Sequence, residues 1–109
     1  MEPTPADVQV ADNPDAHRFE AHVGGELAGF AVYRRRRDRV IFTHTEIGDA
    51  YSGQGVGTTL ARRALDTVRK RKEKVVPLCP FIDGFIGSHP EYTDLVDAEL
   101  TAALRRGVK

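Results

Sequence analysis

The length and charge of this chain limit it to one small globular domain. Its 109 residues are 40% hydrophobic and 29% charged, an ordinary mix that leaves no room for a second core. Sixteen basic and sixteen acidic residues balance to a formal charge of zero. A balanced chain lacks the broad attraction on which non-specific nucleic-acid binders depend, so we expect no nucleic-acid partner.

The cysteine count and the N-terminal residues indicate the cellular compartment of the protein. Cys79 is the lone cysteine and has no partner for an intramolecular disulfide. Residues 1–5 lack the basic start and the apolar stretch of a secretory signal. Every apolar run is far shorter than the roughly 20 residues that cross a bilayer. We expect a cytoplasmic protein without a membrane partner, present as a monomer or a weak homodimer.

Composition divides the chain into a domain and two loose ends. Residues 1–7 are rich in proline and acid, which predicts a flexible lead-in. The domain itself is predicted to span residues 8–104. Residues 105–109 are predicted to form a frayed tail.

Three strands are predicted in the first half of the domain. Strands at 17–23 and 27–33 flank a glycine turn, which suits an antiparallel hairpin. A third strand at 39–47 follows a basic turn at 34–38. Strict alternation along this third strand predicts one face formed by Val40, Phe42, His44 and Glu46, and an opposite face formed by Ile41, Thr43, Thr45 and Ile47.

The second half of the domain changes from strand to helix periodicity. Apolar residues recur at helical spacing from Val56 to Val68. A strand at 74–78 follows, and a right-handed crossover would make it parallel to the strand before the helix. A short helix is predicted at 81–87 and a closing strand or helix at 95–104. The expected fold is α/β, with a mixed twisted sheet and flanking helices.

Three glycines stand between the third strand and the long helix, in the run Gly53-Gln54-Gly55-Val56-Gly57. Without side-chain obstruction, several backbone N–H groups can converge there on one anion, which predicts a diphosphate cradle. A Rossmann turn would need a glycine immediately after the strand together with an acidic residue about 20 positions later, and a P-loop would need a Gly-Lys-Ser/Thr ending, which is absent. Neither pattern fits.

Four spaced motifs make the chain resemble the GNAT superfamily of N-acetyltransferases, and its minimal subfamily of about one hundred residues in particular. The resemblance covers the chain from about Phe19 to Val96. The first position of the glycine motif departs from the superfamily pattern, because Ser52 replaces Arg or Gln. The four motifs are His44-Thr45-Glu46, the Tyr51 to Gly57 turn, Val75-Val76-Pro77-Leu78-Cys79-Pro80-Phe81 and His89-Pro90-Glu91-Tyr92.

The resemblance implies that acetyl-coenzyme A (acetyl-CoA) is the acyl donor and an amine is the acceptor. The diphosphate would lie on the amides of Gln54 to Thr58, and the thioester would reach Cys79. The pantetheine arm would bind backbone groups where the third strand and the 74–78 strand splay apart. The implied donor-binding residues are Thr45, Ile47, Gly53, Gln54, Gly55, Val56, Gly57 and Thr58.

Acetyl transfer to an amine needs a base, and His44 and Glu46 are the candidates. Cys79 has two alternative roles: a nucleophile that carries the acetyl group, or a neutral thiol that assists the departing coenzyme A. Many GNAT enzymes use a tyrosine on the next helix as the acid, but Phe85 stands there. Tyr92 is the nearby phenol, and we expect it to pack rather than to react.

Three other interpretations remain at the sequence level. The histidines lack metal-ligand spacing, so we expect no metal site. A coenzyme A binding module without turnover is the main alternative function, suggested by Ser52 and Phe85. A protein-interaction or RNA-binding adaptor that uses Arg34 to Arg37 is the other, although no aromatic residues interleave with that run as nucleic-acid stacking would need. The acceptor itself, whether a protein lysine, a polyamine or a small metabolite, stays open.

Overall fold

Five strands form one sheet in chain order in the computed structural model, which describes residues 7–107. The first four are antiparallel to their neighbours, and the fifth is parallel to the fourth. The predicted α/β fold with a mixed sheet is confirmed. The strands are β1 (Val8–Asn13), β2 (Arg18–Val23), β3 (Glu26–Arg36), β4 (Arg39–Ile47) and β5 (Lys74–Pro77).

Three α-helices follow β4. They are α1 (Val56–Lys70), α2 (Pro80–Ser88) and α3 (Ala98–Arg105), with a 3-10 segment at Pro90–Leu95 between the last two. The closing segment is therefore a helix. Within residues 7–107, no helix is long and apolar enough to cross a membrane.

Parts of the two predicted loose ends fall outside the described residues. Residues 1–6 of the predicted lead-in and residues 108–109 of the predicted tail are not among them. Arg105, the first residue of the predicted tail, is the last residue of α3. Its guanidinium donates to the Pro77 carbonyl at 3.2 Å, so a contact with β5 anchors the end of this helix.

Strand β1 was not predicted as a separate element. It pairs with β2 and buries Val8. The Tyr33 hydroxyl donates to the Asp12 carboxylate at 2.6 Å, and Arg71 reaches the same carboxylate at 2.8 Å. Burial, together with the Asp12 hydrogen bond, raises the pKa of Tyr33 to about 12, so the phenol stays protonated and keeps donating. This network ties β1 to β3 and to the end of α1.

The main core lies between one face of the sheet and α1. Rings of Phe19, Tyr33 and Phe42 pack together at centroid distances of 5.5 to 6.3 Å. The helix contributes the stripe that its period predicted. Burial of this stripe stabilises the fold by about 25 cal/mol per Å² of apolar surface removed from water. Its buried residues are Val56, Thr59, Leu60, Ala61, Ala64, Leu65 and Val68.

A β-bulge in β4 overturns the predicted faces of that strand. The register shifts between Val32 and Tyr33 of β3, so that β4 carries one extra residue at that point. Beyond the shift Thr45 opposes Ala31, a core residue, and therefore points to the same side as Phe42. The prediction that Phe42 shares a face with His44 and Glu46, and that Thr45 and Ile47 share the opposite face with Ile41, was wrong. Strict alternation fails because a bulge inserts a residue without a partner.

Strands β4 and β5 pair for four residues and then separate. The paired segment ends at Phe42 and Pro77, after which the Cys79 amide donates to the Phe42 carbonyl at 2.9 Å. Pro80 then begins α2. The last residues of β4 therefore have β3 on one edge only, and a split opens between the carboxyl ends of β4 and β5.

Two glycines give opposite expectations for substitution by alanine. A Cβ on Gly29 would lie 2.6 Å from Ile47 Cδ1 and 2.7 Å from the Glu46 carbonyl oxygen, and the backbone atom cannot turn away. We expect Gly29→Ala to lower the free energy of unfolding by about 1–3 kcal/mol. Gly84 lies inside α2, and a Cβ added there would have no atom within 4 Å. Gly84→Ala should therefore raise the free energy of unfolding by about 0.5–1 kcal/mol.

Urea unfolding of the two variants beside the parent chain measures both changes. Equal effects of the two substitutions would contradict the close approach of β3 and β4 at Gly29.

Candidate functional site

The turn before α1 depends on two glycines with left-handed backbone angles. Gly53 has a φ of +77° and Gly55 a φ of +80°. Gly55 is also the N-cap residue of α1. Residues with a Cβ are strained at such angles, so these glycines allow the chain to turn sharply from β4 into the helix.

The start of α1 presents free amide groups. Its first intrahelical bond runs from the Thr59 amide to the Gly55 carbonyl at 3.1 Å. The amides of residues 55–58 have no acceptor in the described part of the chain, as the geometry of a helix start requires. Together with the positive end of the helix dipole, they form a site suited to an anion.

Gln54, which was predicted to belong to this cradle, is used inside the turn. Its amide donates to the Tyr51 carbonyl at 3.3 Å. Its side-chain nitrogen donates to the Ala50 carbonyl at 3.1 Å. The free amides therefore begin at Gly55 rather than at Gln54.

Gly57 allows the ring of Phe81 to lie against the first turn of α1. A Cβ at residue 57 would lie 2.7 Å from Phe81 Cζ and 3.5 Å from Ile47 Cγ1. Phe81 is 41% exposed, so part of its apolar ring is open to water. Its ring and Ile47 form an apolar wall between the helix start and the split. No role in the site was predicted for Phe81.

The thiol of Cys79 lies at the split, on the core face. Its Sγ is 3.1 Å from Thr45 Oγ1, a contact that spans the gap between the end of β4 and the start of α2. The residue is 2% exposed and forms the N-cap of α2. Thr45 and Cys79 were predicted as site residues in separate roles, and the fold brings them into direct contact.

His44 and Glu46 lie on the other face of β4. Their side chains approach at 3.4 Å, between His44 Nε2 and Glu46 Oε2, and each is about 60% exposed. They oppose Val32 and Phe30 of β3, which lie outside the core cluster. The structure therefore brings the predicted bases together and places them across the sheet from Cys79.

The remaining candidate side chains have structural partners. Tyr92 is buried, and its hydroxyl donates to the Asp66 carboxylate at 2.7 Å. Burial is the larger cause that raises the pKa of Tyr92, and this hydrogen bond is the next. The Phe85 ring stacks on His89 at 3.9 Å.

Tyr51 lies beside the glycine turn. No role was predicted for it, although it is the first residue of the Tyr51 to Gly57 motif. Its hydroxyl donates to the Glu26 carboxylate at 3.3 Å. Partial burial is the larger cause that raises the pKa of Tyr51, and the negative charge of Glu26 is the next. Among residues 7–107, no three His, Cys, Asp or Glu side chains cluster closely enough to hold a metal ion.

Comparison with known proteins agrees with this geometry. The sequence profile of the GCN5-related N-acetyl-transferase family matches residues 18–95. This chain belongs to that family. The match includes strands β2 to β5, the glycine turn, α1, α2 and the 3-10 segment.

Two individual proteins extend the comparison beyond the matched region. Protein NATD1 from Gallus gallus is 28% identical over 85 residues, which are 76% of this chain and 77% of that protein. The solution structure of a GCN5-like protein from Staphylococcus aureus has a TM-score of 0.63 to this chain. It covers 84% of this chain and 89% of its own at 19% identity, a likeness that shows the fold.

Membership in the family gives the features of the site a common chemistry. GNAT proteins use acetyl-CoA as the acyl donor, which carries a diphosphate and an amide-rich pantetheine arm. The residues present fit that donor: free amides at 55–58 for an anion, a strand edge without a partner for amides, and an apolar wall at Phe81 and Ile47.

Proposed function

We propose that this chain transfers the acetyl group of acetyl-CoA to an amine through the split between β4 and β5. The observation that carries the proposal is the set of amides at 55–58 beside that split, with the Thr45–Cys79 contact at its opening. The amides would bind the diphosphate. The free edge of β4 at Thr45 and Ile47 would bond the pantetheine amides in the manner of an added strand.

Donor and base would act from opposite sides of the sheet. The Thr45 side chain and Cys79 belong to the face that packs on α1, whereas His44 and Glu46 belong to the outer face. An amine that approaches from the outer face would reach the thioester through the split. This arrangement keeps the large donor and the acceptor from competing for the same surface.

Glu46 is the proposed base because it lines a groove at the end of β4, whereas His44 does not. Glu46 would take a proton from the ammonium form of the acceptor, and the free nitrogen would attack the thioester carbonyl carbon. The C–N bond forms and the C–S bond breaks. Two protons leave the nitrogen in all, one returns to the sulfur of coenzyme A, and one is released to water.

Cys79 is proposed to act as a neutral thiol rather than as a nucleophile. Its partner is the Thr45 hydroxyl, and the His44–Glu46 pair lies across the sheet, away from its sulfur. A nucleophilic thiol needs an adjacent base or cation to form a thiolate. The thiol instead suits donation of a hydrogen bond to the thiolate of the departing coenzyme A.

The cradle is tested by adding a negative charge at Thr58, an exposed residue in the first turn of α1. Thr58→Glu should leave the domain as stable as the parent or stabilise it by about 0.3–1 kcal/mol, because an acid suits the N-terminus of a helix. The same charge would repel a diphosphate and should raise the Kd for coenzyme A about tenfold or more. Thr58→Gln, similar in size and neutral, is the matched control.

Calorimetry gives the Kd, and thermal unfolding gives the stability. Unchanged affinity in Thr58→Glu would show that the diphosphate binds elsewhere.

The base is tested by Glu46→Gln, which keeps the shape of the side chain and removes its charge. We expect kcat to fall by about 10² to 10⁴ at neutral pH. The deficit should shrink as the pH rises toward the pKa of the acceptor amine, about 10.4 for a lysine, because the amine then needs no base. A deficit that is the same at every pH would contradict the role of Glu46. Coenzyme A affinity, measured alongside, should not change.

The role of Cys79 is tested by intact-mass spectrometry after the chain is mixed with acetyl-CoA and no amine. We expect no acetyl adduct on the protein, and we expect Cys79→Ser, which keeps a hydrogen-bond donor, to retain more activity than Cys79→Ala. An acetyl adduct that disappears in Cys79→Ala would instead establish the covalent route. Coenzyme A binding without transfer to any amine would favour the binding-module alternative.

A further inference from the structure

A groove of about 320 Å³ opens at the carboxyl end of β4, next to the split. It is lined by apolar side chains and backbone from β3, by Glu46 and Ile47 of β4, and by Gly48 and Asp49. Ile47 is also part of the apolar wall that it forms with Phe81 beside Gly57, so the groove and the split share this residue. An acceptor in this groove would have its amine beside Glu46.

The lining of the groove combines an apolar floor with negative charge. Leu27 is 43% exposed at its edge, which is a large apolar surface left open to water. Glu46 and Asp49 are the charged residues of the lining, and both are acidic. Glu26 stands next to Leu27 in the chain and is held by the Tyr51 hydroxyl. An alkyl chain with positive ends matches such a surface.

Most basic residues lie in two segments that are distant from the groove. Residues 34–39 and 69–74 hold ten of the sixteen basic residues but only two of the sixteen acidic ones. Some acidic residues lie beside these segments and pair with them, as Asp97 does with Arg39 and Asp12 with Arg71. The two basic segments meet at the start of β4 and β5, where Lys74 donates its amide to the Asp38 carbonyl at 3.0 Å. The groove lies at the opposite end of β4.

We infer that the acceptor is a small alkyl amine that carries a second positive charge, of the polyamine class. This inference rests on the proposed function, because it assigns the substrate of that same site. One amine would lie at Glu46, the alkyl chain would pack on Leu27, and the second ammonium would pair with Asp49. The volume of the groove is at the small end of the range for small-molecule sites, which favours a free amine over a lysine of a folded protein.

The test compares putrescine with butylamine, which has the same alkyl chain and a single amine. Acetyl transfer is followed by the release of coenzyme A, at low and at high salt. We expect kcat/KM to be about tenfold higher for putrescine at low salt, and the preference to shrink at high salt. Asp49→Asn should raise KM for putrescine about tenfold with kcat almost unchanged, and should not affect butylamine.

Glu99→Gln is the matched control, because Glu99 is an exposed acid on α3 that does not line the groove. This variant should leave kcat/KM unchanged for both putrescine and butylamine. Equal kcat/KM for putrescine and butylamine would overturn the inference and leave acetyl transfer intact. A basic peptide that is acetylated faster than putrescine would overturn it as well.

A direct binding measurement separates this inference from the proposed reaction. Calorimetry of putrescine with the chain saturated with coenzyme A should show binding that Asp49→Asn weakens about tenfold. If putrescine binds in this way and no amine is acetylated, the proposed function fails and the groove assignment stands. If putrescine does not bind, the groove assignment fails whatever the activity.

Discussion

The extra residue in β4 is the constraint on which the site depends. Because side chains alternate along a strand, one inserted residue reverses the faces of everything that follows. It turns Thr45 and Ile47 toward the core, where one contacts Cys79 and the other borders Gly57. The same reversal turns His44 and Glu46 outward as a pair. Without it, the candidate base would lie inside the core and the Thr45 hydroxyl would face water.

The split beside the bulge follows from how β5 ends. Pro77 closes a short parallel pairing, and Cys79 turns the chain into α2 while its amide still caps the Phe42 carbonyl. The split therefore opens without leaving that carbonyl unpaired, which would be costly in a buried position. α1 then brings free amides to the same end of the sheet. Two helix starts and two strand ends converge there, and the combination suits an extended donor with an anionic end.

Sequence reasoning predicted the element order well and the side-chain directions less well, for identifiable physical reasons. The glycine turn and α1 have strong local signals, since glycine adopts the left-handed backbone angles found at Gly53 and Gly55 without strain. The bulge has no such signal: Val40, Ile41 and Phe42 are all buried, so hydrophobicity cannot show where alternation breaks. The partnership of Thr45 with Cys79 is also invisible in sequence, because 34 residues separate them. Phe81 went unnoticed because its importance comes from the missing Cβ of Gly57, a packing relation between two elements.

The balanced net charge conceals a clustering of basic residues at the start of β4 and β5, and this changes what composition implies. A formal charge of zero removes long-range attraction for a chain whose charges are mixed, but here two segments hold ten of the sixteen basic residues, whereas the charged residues of the groove at the other end of β4 are Glu46 and Asp49. Several of those basic residues are neutralised locally, as Arg39 is by Asp97 at 2.6 Å and Arg69 by Asp94 at 2.8 Å. In the proposed reaction, the end of β4 that carries Glu46 and Asp49 must still accommodate an anionic donor. Backbone amides can do so where lysines are absent, because their partial charges are fixed in place at the helix start and add no formal positive charge that would repel a cationic acceptor. A donor held by amides and an acceptor drawn by carboxylates can therefore share one small end of the domain.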